Sequence, residues 1–155
     1  MKNVLITGAT GGIGKALVER FYNSNFNIVA SGTNNEKLKF LESKYSNKLK
    51  SIKCDLSDKS QVENLASESE KFFGQIDILI NNAGITKDNL FLRMKDEEWY
   101  GVINVNLNAN YLLTKLILRG MIKKKWGRII NITSDASVVG NPGQANYTAS
   151  KAAVE

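Results

Sequence analysis

The sequence predicts an α/β fold: a doubly wound parallel sheet with helices on both faces. Three observations predict it. Short apolar segments that read as buried strands alternate with amphipathic segments along the whole chain, the pattern of strand–helix–strand units. A glycine-rich turn follows the first apolar segment at once. No linker, repeat or low-complexity stretch interrupts the alternation. Crossovers between parallel strands are right-handed, and ligands of such sheets bind at the carboxyl ends of the strands where the winding reverses.

The elements follow in order. "NVLIT" (3–7) is the first strand. Residues 13–22 place Ile13, Ala16, Leu17 and Phe21 at helical spacing. "NIVASG" (27–32) is the second strand, and "NEKLKFLESKY" (35–45) an amphipathic helix. "LKSIKCDL" (49–56) is the third strand. Ser57-Asp58 caps a helix that runs to about Phe73, with Val62, Leu65 and Phe72 as its apolar members. "IDILINNAG" (76–84) is the fourth strand, ending in a polar turn. A long helical region runs from Asp96 to Lys125 and is broken near Asn106–Asn110. "GRIINITS" (127–134) is the fifth strand. The loop "DASVVGNPGQAN" then leads into a last helix, which carries Tyr147 and Lys151.

Composition narrows the chemistry. The 155 residues suffice for one domain with a real core, here 1–155. No apolar run approaches the roughly 18 residues of a membrane span. "MKNVLITGAT" lacks the apolar core of a signal peptide, so a cytoplasmic protein is expected. The single cysteine, Cys54, excludes an internal disulfide and a multi-cysteine zinc site. Histidine is absent, which excludes a Ser-His-Asp triad and a histidine metal site; no metal is expected. Acid–base work falls to Tyr, Lys, Asp, Glu, Ser or water. The net charge of +6 is spread over solvated helix faces. No aromatic residues interleave a basic stripe, so nucleic-acid binding is not expected.

"TGATGGIG" joins the first strand to the first helix, with Gly8, Gly12 and Gly14 spaced G-x3-G-x-G. Glycines there let the backbone approach a pyrophosphate, and the helix that follows offers free N–H groups and a positive dipole end. A ligand-free glycine turn is the bland alternative. The placement between strand and helix favours a nucleotide site. A P-loop needs G-x4-G-K-[ST]; Gly14-Lys15 fits its second half, but Ala9 and Ala16 break the pattern. The G-x-G-x-x-G dinucleotide fingerprint is not matched either.

Tyr147 and Lys151 stand four apart on one helix face. A lysine ammonium beside a phenol stabilises the phenolate and suits tyrosine to proton transfer near neutral pH. Taken alone, the pair would be read as a surface accident.

"TGATGGIG", "NNAG" (81–84) and the set Ser134…Tyr147-x3-Lys151 occur in the order and at the intervals of the short-chain dehydrogenase/reductase family. The resemblance covers essentially the whole chain. "NNAGITKDNLFLRMKDEEW", "GRIINITS" and "GNPGQANYTASKA" resemble the branch of it that reduces 3-oxoacyl groups on acyl carrier protein in bacterial type II fatty acid synthesis.

The resemblance implies a Rossmann-like fold and assigns roles. Tyr147 would protonate the substrate carbonyl as hydride arrives from a nicotinamide. Lys151 would stabilise its phenolate and hold the nicotinamide ribose. Ser134 would hydrogen-bond the substrate oxygen. Ser137 rivals it on composition alone, and the interval of 13 from Ser134 to Tyr147 matches the family pattern. Asn106 would sit at the helix break and hold a water on the proton path to Lys151, with Asn104 and Asn108 as decoys in the same run. Gly8, Thr10, Gly11, Gly12, Ile13 and Gly14 would line the cofactor phosphates. Asp55 and Leu56 would meet the adenine. Asn82, Ala83 and Gly84 would pass along the adenine-side ribose and steady the fourth strand. Ile132 would lie near the nicotinamide.

The second strand ends in "ASGTNN" without the acid that binds a free ribose 2′-hydroxyl, so NADPH is expected, with Thr33 offering a hydroxyl to the 2′-phosphate. Relatives often place an arginine where this chain has Gly11 or Asn34. "KKKWGR" (123–128) complements the helix dipole at its C-terminus. It also suggests a basic rim, Lys124, Lys125 and Arg128, for an acidic acyl carrier protein. Family members run to roughly 250 residues. This chain is therefore expected to be an N-terminal part, C-terminally incomplete after the fifth strand and the start of the catalytic helix, and weak or inactive alone. The full-length parent would be a tetramer.

Overall fold

The computed structural model describes residues 1–155. Five strands, β1 (Asn3–Ile6), β2 (Asn27–Gly32), β3 (Leu49–Lys53), β4 (Ile78–Asn81) and β5 (Arg128–Asn131), form one parallel sheet in the order β3-β2-β1-β4-β5. The helices are α1 (Gly12–Asn23), α2 (Asn35–Tyr45), α3 (Lys59–Phe73), α4 (Asp96–Ile103), α5 (Ala109–Lys124), α6 (Ala136–Val139) and α7 (Ala145–Val154).

Strand periodicity sorts the core into two layers. Val4, Ile6, Ile28, Ala30, Ile78 and Ile80 face Val18 of α1 and Leu38, Leu41 and Tyr45 of α2. Leu5, Val29 and Leu79 face the opposite way, onto Val62, Leu65 and Ala66 of α3 and Leu113, Ile117 and Met121 of α5. Each fully buried Val, Leu or Ile among them stabilises the fold by about 1.5–3 kcal/mol. Winding turns one way from β1 to β3 and the other from β4 to β5. The reversal opens a crevice between β1 and β4.

A polar pin holds the opposite edge, where the strands begin. The buried Asn3 donates its backbone N–H to Asp77 Oδ2 (2.8 Å) and its side-chain amide to the carbonyls of Phe73 (2.7 Å) and Gln75 (2.9 Å). Asn27 Nδ2 donates to Asn3 Oδ1 (2.9 Å). Lys124 Nζ donates to Asp77 Oδ1 (3.0 Å).

Several elements differ from expectation for identifiable reasons. The third strand stops at Lys53, because its partner β2 ends at Gly32. The first helix turns Gly14 and Val18 into the core, not Ile13 and Ala16, and leaves Ile13 59% exposed. On α3, Phe73 packs inward and Phe72 faces solvent. The fifth strand is an exposed edge, with Ile129 and Ile130 near 40% accessible, because α7 covers it only in part. The loop after it folds into the short helix α6, capped by Asp135 accepting from the Ala136 N–H (2.9 Å). The expected helix break is a π turn, Asn104–Asn108, that widens the helix without interrupting it.

Candidate active site

A cleft of about 700 Å³ lies at the carboxyl ends of β1, β2 and β4, over the reversal of winding. Every residue expected along the phosphates, adenine and adenine-side ribose lines it: Gly8, Thr10, Gly11, Gly12, Ile13, Gly14, Thr33, Asp55, Leu56, Asn82, Ala83 and Gly84. Gly32, which beside Thr33 leaves room for a 2′-phosphate, lines it too, and Ser31, Cys54, Ser57, Ile85, Lys87, Gly101 and Val105, which the sequence does not mark as ligand contacts, complete the lining. The exposure of Ile13 follows from this: its side chain serves the cleft rather than the core.

The three spaced glycines do different work. Gly8 has φ +62° and lies so close to the β4 turn that a Cβ would stand 2.9 Å from Ala83 Cα. Gly14 lets α1 seat on the loop, since a Cβ there would meet Gly8 O at 2.1 Å and Ala9 Cα at 2.7 Å. Gly12 opens outward, with nothing within 4 Å of an added Cβ. The first turn of α1 has no side-chain cap and no acidic residue. Its orphan N–H groups are left for an anion, as a dinucleotide pyrophosphate requires. The residues present therefore fit such a cofactor.

Side chains fix the far wall. Asn82 donates Nδ2 to Thr7 O (2.8 Å) and Gly8 O (3.2 Å), and the N–H groups of Asn82 and Ala83 both donate to Thr7 Oγ1 (3.1 Å each). The β4 turn is thus laced to the glycine loop. The Asp55 carboxylate accepts from the Ser57 N–H (2.9 Å) and O–H (2.7 Å), so it shapes the turn before α3 while lining the cleft. Burial pushes the Cys54 thiol up to about 11, with the carboxylates of Asp55 and Asp58 adding to the shift.

Beyond Gly84 the cleft meets α7. Lys151 is 4% exposed and donates Nζ to Ile132 O (2.6 Å), at the end of β5. Its ammonium stands 5.8 Å from the centre of the Tyr147 ring. Burial holds it below the usual lysine range. A Cβ on Gly84 would lie 3.4 Å from Asn106 Oδ1 and 3.5 Å from Lys151 Nζ, so Gly84 is the point where the cleft, Asn106 and Lys151 meet. Asn106 is fully buried. Its Oδ1 accepts from the Ile85 N–H (2.9 Å), and its Nδ2 donates to Ile85 O (3.0 Å) and Ser150 Oγ (3.1 Å). Its carbonyl accepts from Asn110 Nδ2 (2.8 Å). The side chain is thus committed to the loop after β4, and a water would have to use the π-turn carbonyls. Neither Asn104 nor Asn108 reaches the cleft; their amides bond each other (2.8 Å).

Ser134 Oγ donates to Asp135 Oδ1 and accepts from the Ala136 N–H, both at 3.2 Å, and no hydrogen bond joins it to Tyr147. Ser137 Oγ lies 2.6 Å from Ser134 O and 2.8 Å from Glu155 Oε1, both acceptors for its single proton. Both serines make local contacts, and Ser134 keeps the weaker ones.

The expected basic rim needs correction. Lys124, Lys125 and Arg128 precede β5, and Arg128 pairs in register with Ile78 at the start of β4. In a parallel sheet all strand starts share one edge, so these cations lie opposite the cleft mouth. Lys124 is also tied to Asp77, and the Arg128 guanidinium stacks over Trp126 (5.3 Å to the ring centre).

Sequence reasoning passed over Asn146 and Ser150, both fully buried. Each stands one residue before Tyr147 or Lys151, and the two are four apart on a single face of α7. That spacing was the available signal.

Residues 2–155 match the model of the family described as short chain dehydrogenase. The 3-oxoacyl-acyl-carrier-protein reductase FabG of Haemophilus influenzae is 44% identical over 153 residues, covering 99% of this chain and 63% of that protein. Nodulation protein G of a Rhizobium species is 43% identical over 151 residues, with 97% and 62% covered. The FabG reductase of Escherichia coli is 39% identical over 151 residues, with 97% and 62% covered. The chain thus spans less than two thirds of the length of these relatives. On the match along its length, with a cleft of this form, the chain belongs to the short-chain dehydrogenase family.

Proposed function

We propose that a protein containing this chain is an oxidoreductase that reduces 3-oxoacyl groups carried on acyl carrier protein to 3-hydroxyacyl groups with NADPH, in the cytoplasm. The observation that carries it is the buried Lys151 beside Tyr147 at the Gly84 end of the cleft that the glycine loop lines. The names of the reductases at 39–44% identity support the substrate class. The dinucleotide would supply hydride to the carbonyl carbon. The Tyr147 phenol would donate its proton to the carbonyl oxygen. Lys151 would stabilise the phenolate formed and hold the nicotinamide ribose near Ile132. Ser134 Oγ would orient the carbonyl once substrate displaces its contact with Asp135. Asn106 would fix the loop after β4 and, through its carbonyl, the water that returns a proton towards Lys151.

NADPH is preferred over NADH because the β2 end of the cleft offers the Thr33 hydroxyl. Its one acid, Asp55, is engaged by Ser57. Equal affinity for the two dinucleotides would sink that preference. Lys125 and Arg128 would meet an acidic carrier only where assembly, a tetramer on this reading, brings that edge beside another copy's cleft.

The test is dinucleotide oxidation with acetoacetyl-carrier protein by the protein of the relatives' length. Turnover that Tyr147→Phe abolishes supports the reading. Dinucleotide binding without reduction of any 3-oxoacyl substrate removes the substrate assignment. A second reading has an observation behind it: a relative named nodulation protein G is as similar as the reductases, which leaves room for a different ketone or alcohol. Turnover of such a compound with none of the 3-oxoacyl substrate would establish it.

A further inference from the structure

We propose that Asn146 is a positioning residue for Tyr147, locking the start of α7 to the wall of the cleft. This rests on the reading above that Tyr147 does the proton transfer. Asn146 is fully buried, and its amide is spent on three partners. Its Oδ1 accepts from the Tyr147 N–H (2.7 Å), one of the orphan donors in the first turn of α7. Its Nδ2 donates to Lys87 O (2.9 Å) and to Glu98 O (3.0 Å). One side chain therefore joins the Tyr147 backbone to the loop that lines the cleft and to the first turn of α4.

Neighbouring contacts repeat the connection. The Asn89 N–H donates to Gly143 O (2.9 Å), and Gln144 Nε2 donates to Asp88 Oδ2 (2.9 Å). At the loop's other end, Asn106 holds Ile85 by both backbone groups and Ser150 by its hydroxyl. Ser150 in turn donates to Tyr147 O (2.7 Å). The cleft-lining Ile85 and Lys87 are thus joined by hydrogen bonds to the residue that would deliver the proton. Asn146 is the only buried side chain of α7 that bonds both the loop and the Tyr147 amide.

The competing role is a plain helix cap, and the two make opposite statements about aspartate. Aspartate keeps the acceptor for the Tyr147 N–H and suits a helix N-terminus. It has no donor for Lys87 O and Glu98 O, and it sets a carboxylate against two carbonyl oxygens. A misplacement of about 1 Å can lower turnover by roughly 10²-fold without weakening cofactor binding.

The experiment compares Asn146→Asp and Asn146→Ala with wild type in the protein of the relatives' length, by turnover, NADPH affinity and hydrogen exchange. Positioning predicts a fall in kcat of roughly 10–100-fold in both variants, with NADPH affinity within about twofold. It also predicts faster exchange in 85–89, in 145–151 and at the start of α4, and nowhere else. An Asp variant as active as wild type overturns the proposal. So does exchange that rises in 145–151 alone, or loss of NADPH binding through general unfolding. A wild-type protein that reduces no carbonyl substrate defeats the functional reading instead. The exchange pattern then decides the position of Asn146 by itself.

Discussion

The division of labour among the glycines makes a sharp prediction for the pair Gly14→Ala and Gly12→Ala. The added methyl at residue 14 would lie 2.1 Å from Gly8 O and 2.7 Å from Ala9 Cα, against an ordinary contact of 3.4 Å or more. Both obstacles are backbone, so α1 must retreat by roughly an ångström, at the upper end of the ~1–3 kcal/mol cost of overpacking. Helix propensity returns at most ~1 kcal/mol. The retreat also draws Val18 off the sheet. The net loss is ~2 kcal/mol, a fall in Tm of about 4–8 °C for a chain of this size. At residue 12 the methyl meets nothing, so Tm stays within about 2 °C of wild type. It projects where the pyrophosphate would lie, and NADPH Kd rises at least about tenfold, or ~1.4 kcal/mol. Circular-dichroism melts and NADPH fluorescence titrations read the two effects separately. A Gly14→Ala protein that melts like wild type would refute the seating of α1. A Gly12→Ala protein with unaltered Kd would refute the place given to the phosphates.

Other predictions are read in the same assays. Asp77→Ala strands the Asn3 N–H and the Lys124 ammonium and costs about 1–3 kcal/mol in denaturant melts; Lys124→Met removes a half-exposed partner and costs no more than about 1 kcal/mol. Native Cys54 reacts with thiol reagents more than about 100-fold slower than a free thiol near pH 8, because thiolate is scarce and burial blocks access; denaturant abolishes the protection. With a folded pKa of about 11 against 9.0, this thiol leaves stability unchanged below pH 9.0 and erodes it as pH climbs towards 11. Lys151 acts in the other sense: its folded pKa lies below 10.5, so the unfolded chain holds more protons and stability rises with pH up to 10.5. The Tm difference between Lys151→Met and wild type therefore shifts in favour of wild type as pH is raised towards 10.5. A difference independent of pH would contradict the burial of the charge.

Much of the fold was legible because each strand is a short apolar run and each helix has a separate apolar face. The glycine turn and the β4 tail line one cleft, and Lys151 reaches its Gly84 end without lining it. Helical spacing put Ile13 and Ala16 on the packed face while the family likeness put Ile13 on the cofactor side; Ile13 lines the cleft and Ala16 is exposed. Asn146 and Ser150 are polar, so hydrophobic patterning does not reveal that their stripe is the buried face of α7. The basic run 123–128 is near β5 in sequence, but it leads into the strand's start, and a parallel sheet binds ligands at the strands' carboxyl ends. The π turn has no sequence sign beyond its asparagines, since one extra residue per turn leaves the apolar pattern of Val102, Val105 and Ala109 almost intact.

The central place of β1 has a consequence for the chain as it is made. Asn3 bonds Asp77, 74 positions later, while β1 pairs with β2 only 24 residues on. At roughly 5–20 residues per second, Asp77 leaves the ribosome some 4–15 seconds after Asn3. During that interval β1, β2 and β3 can assemble, but the free flank of β1 has no neighbour, and Val4, Leu5 and Ile6 are half covered. The nascent half-sheet is the species a holding chaperone would meet. Synonymous changes that slow translation before residue 78 should lengthen its exposure and lower the soluble yield without altering the finished protein.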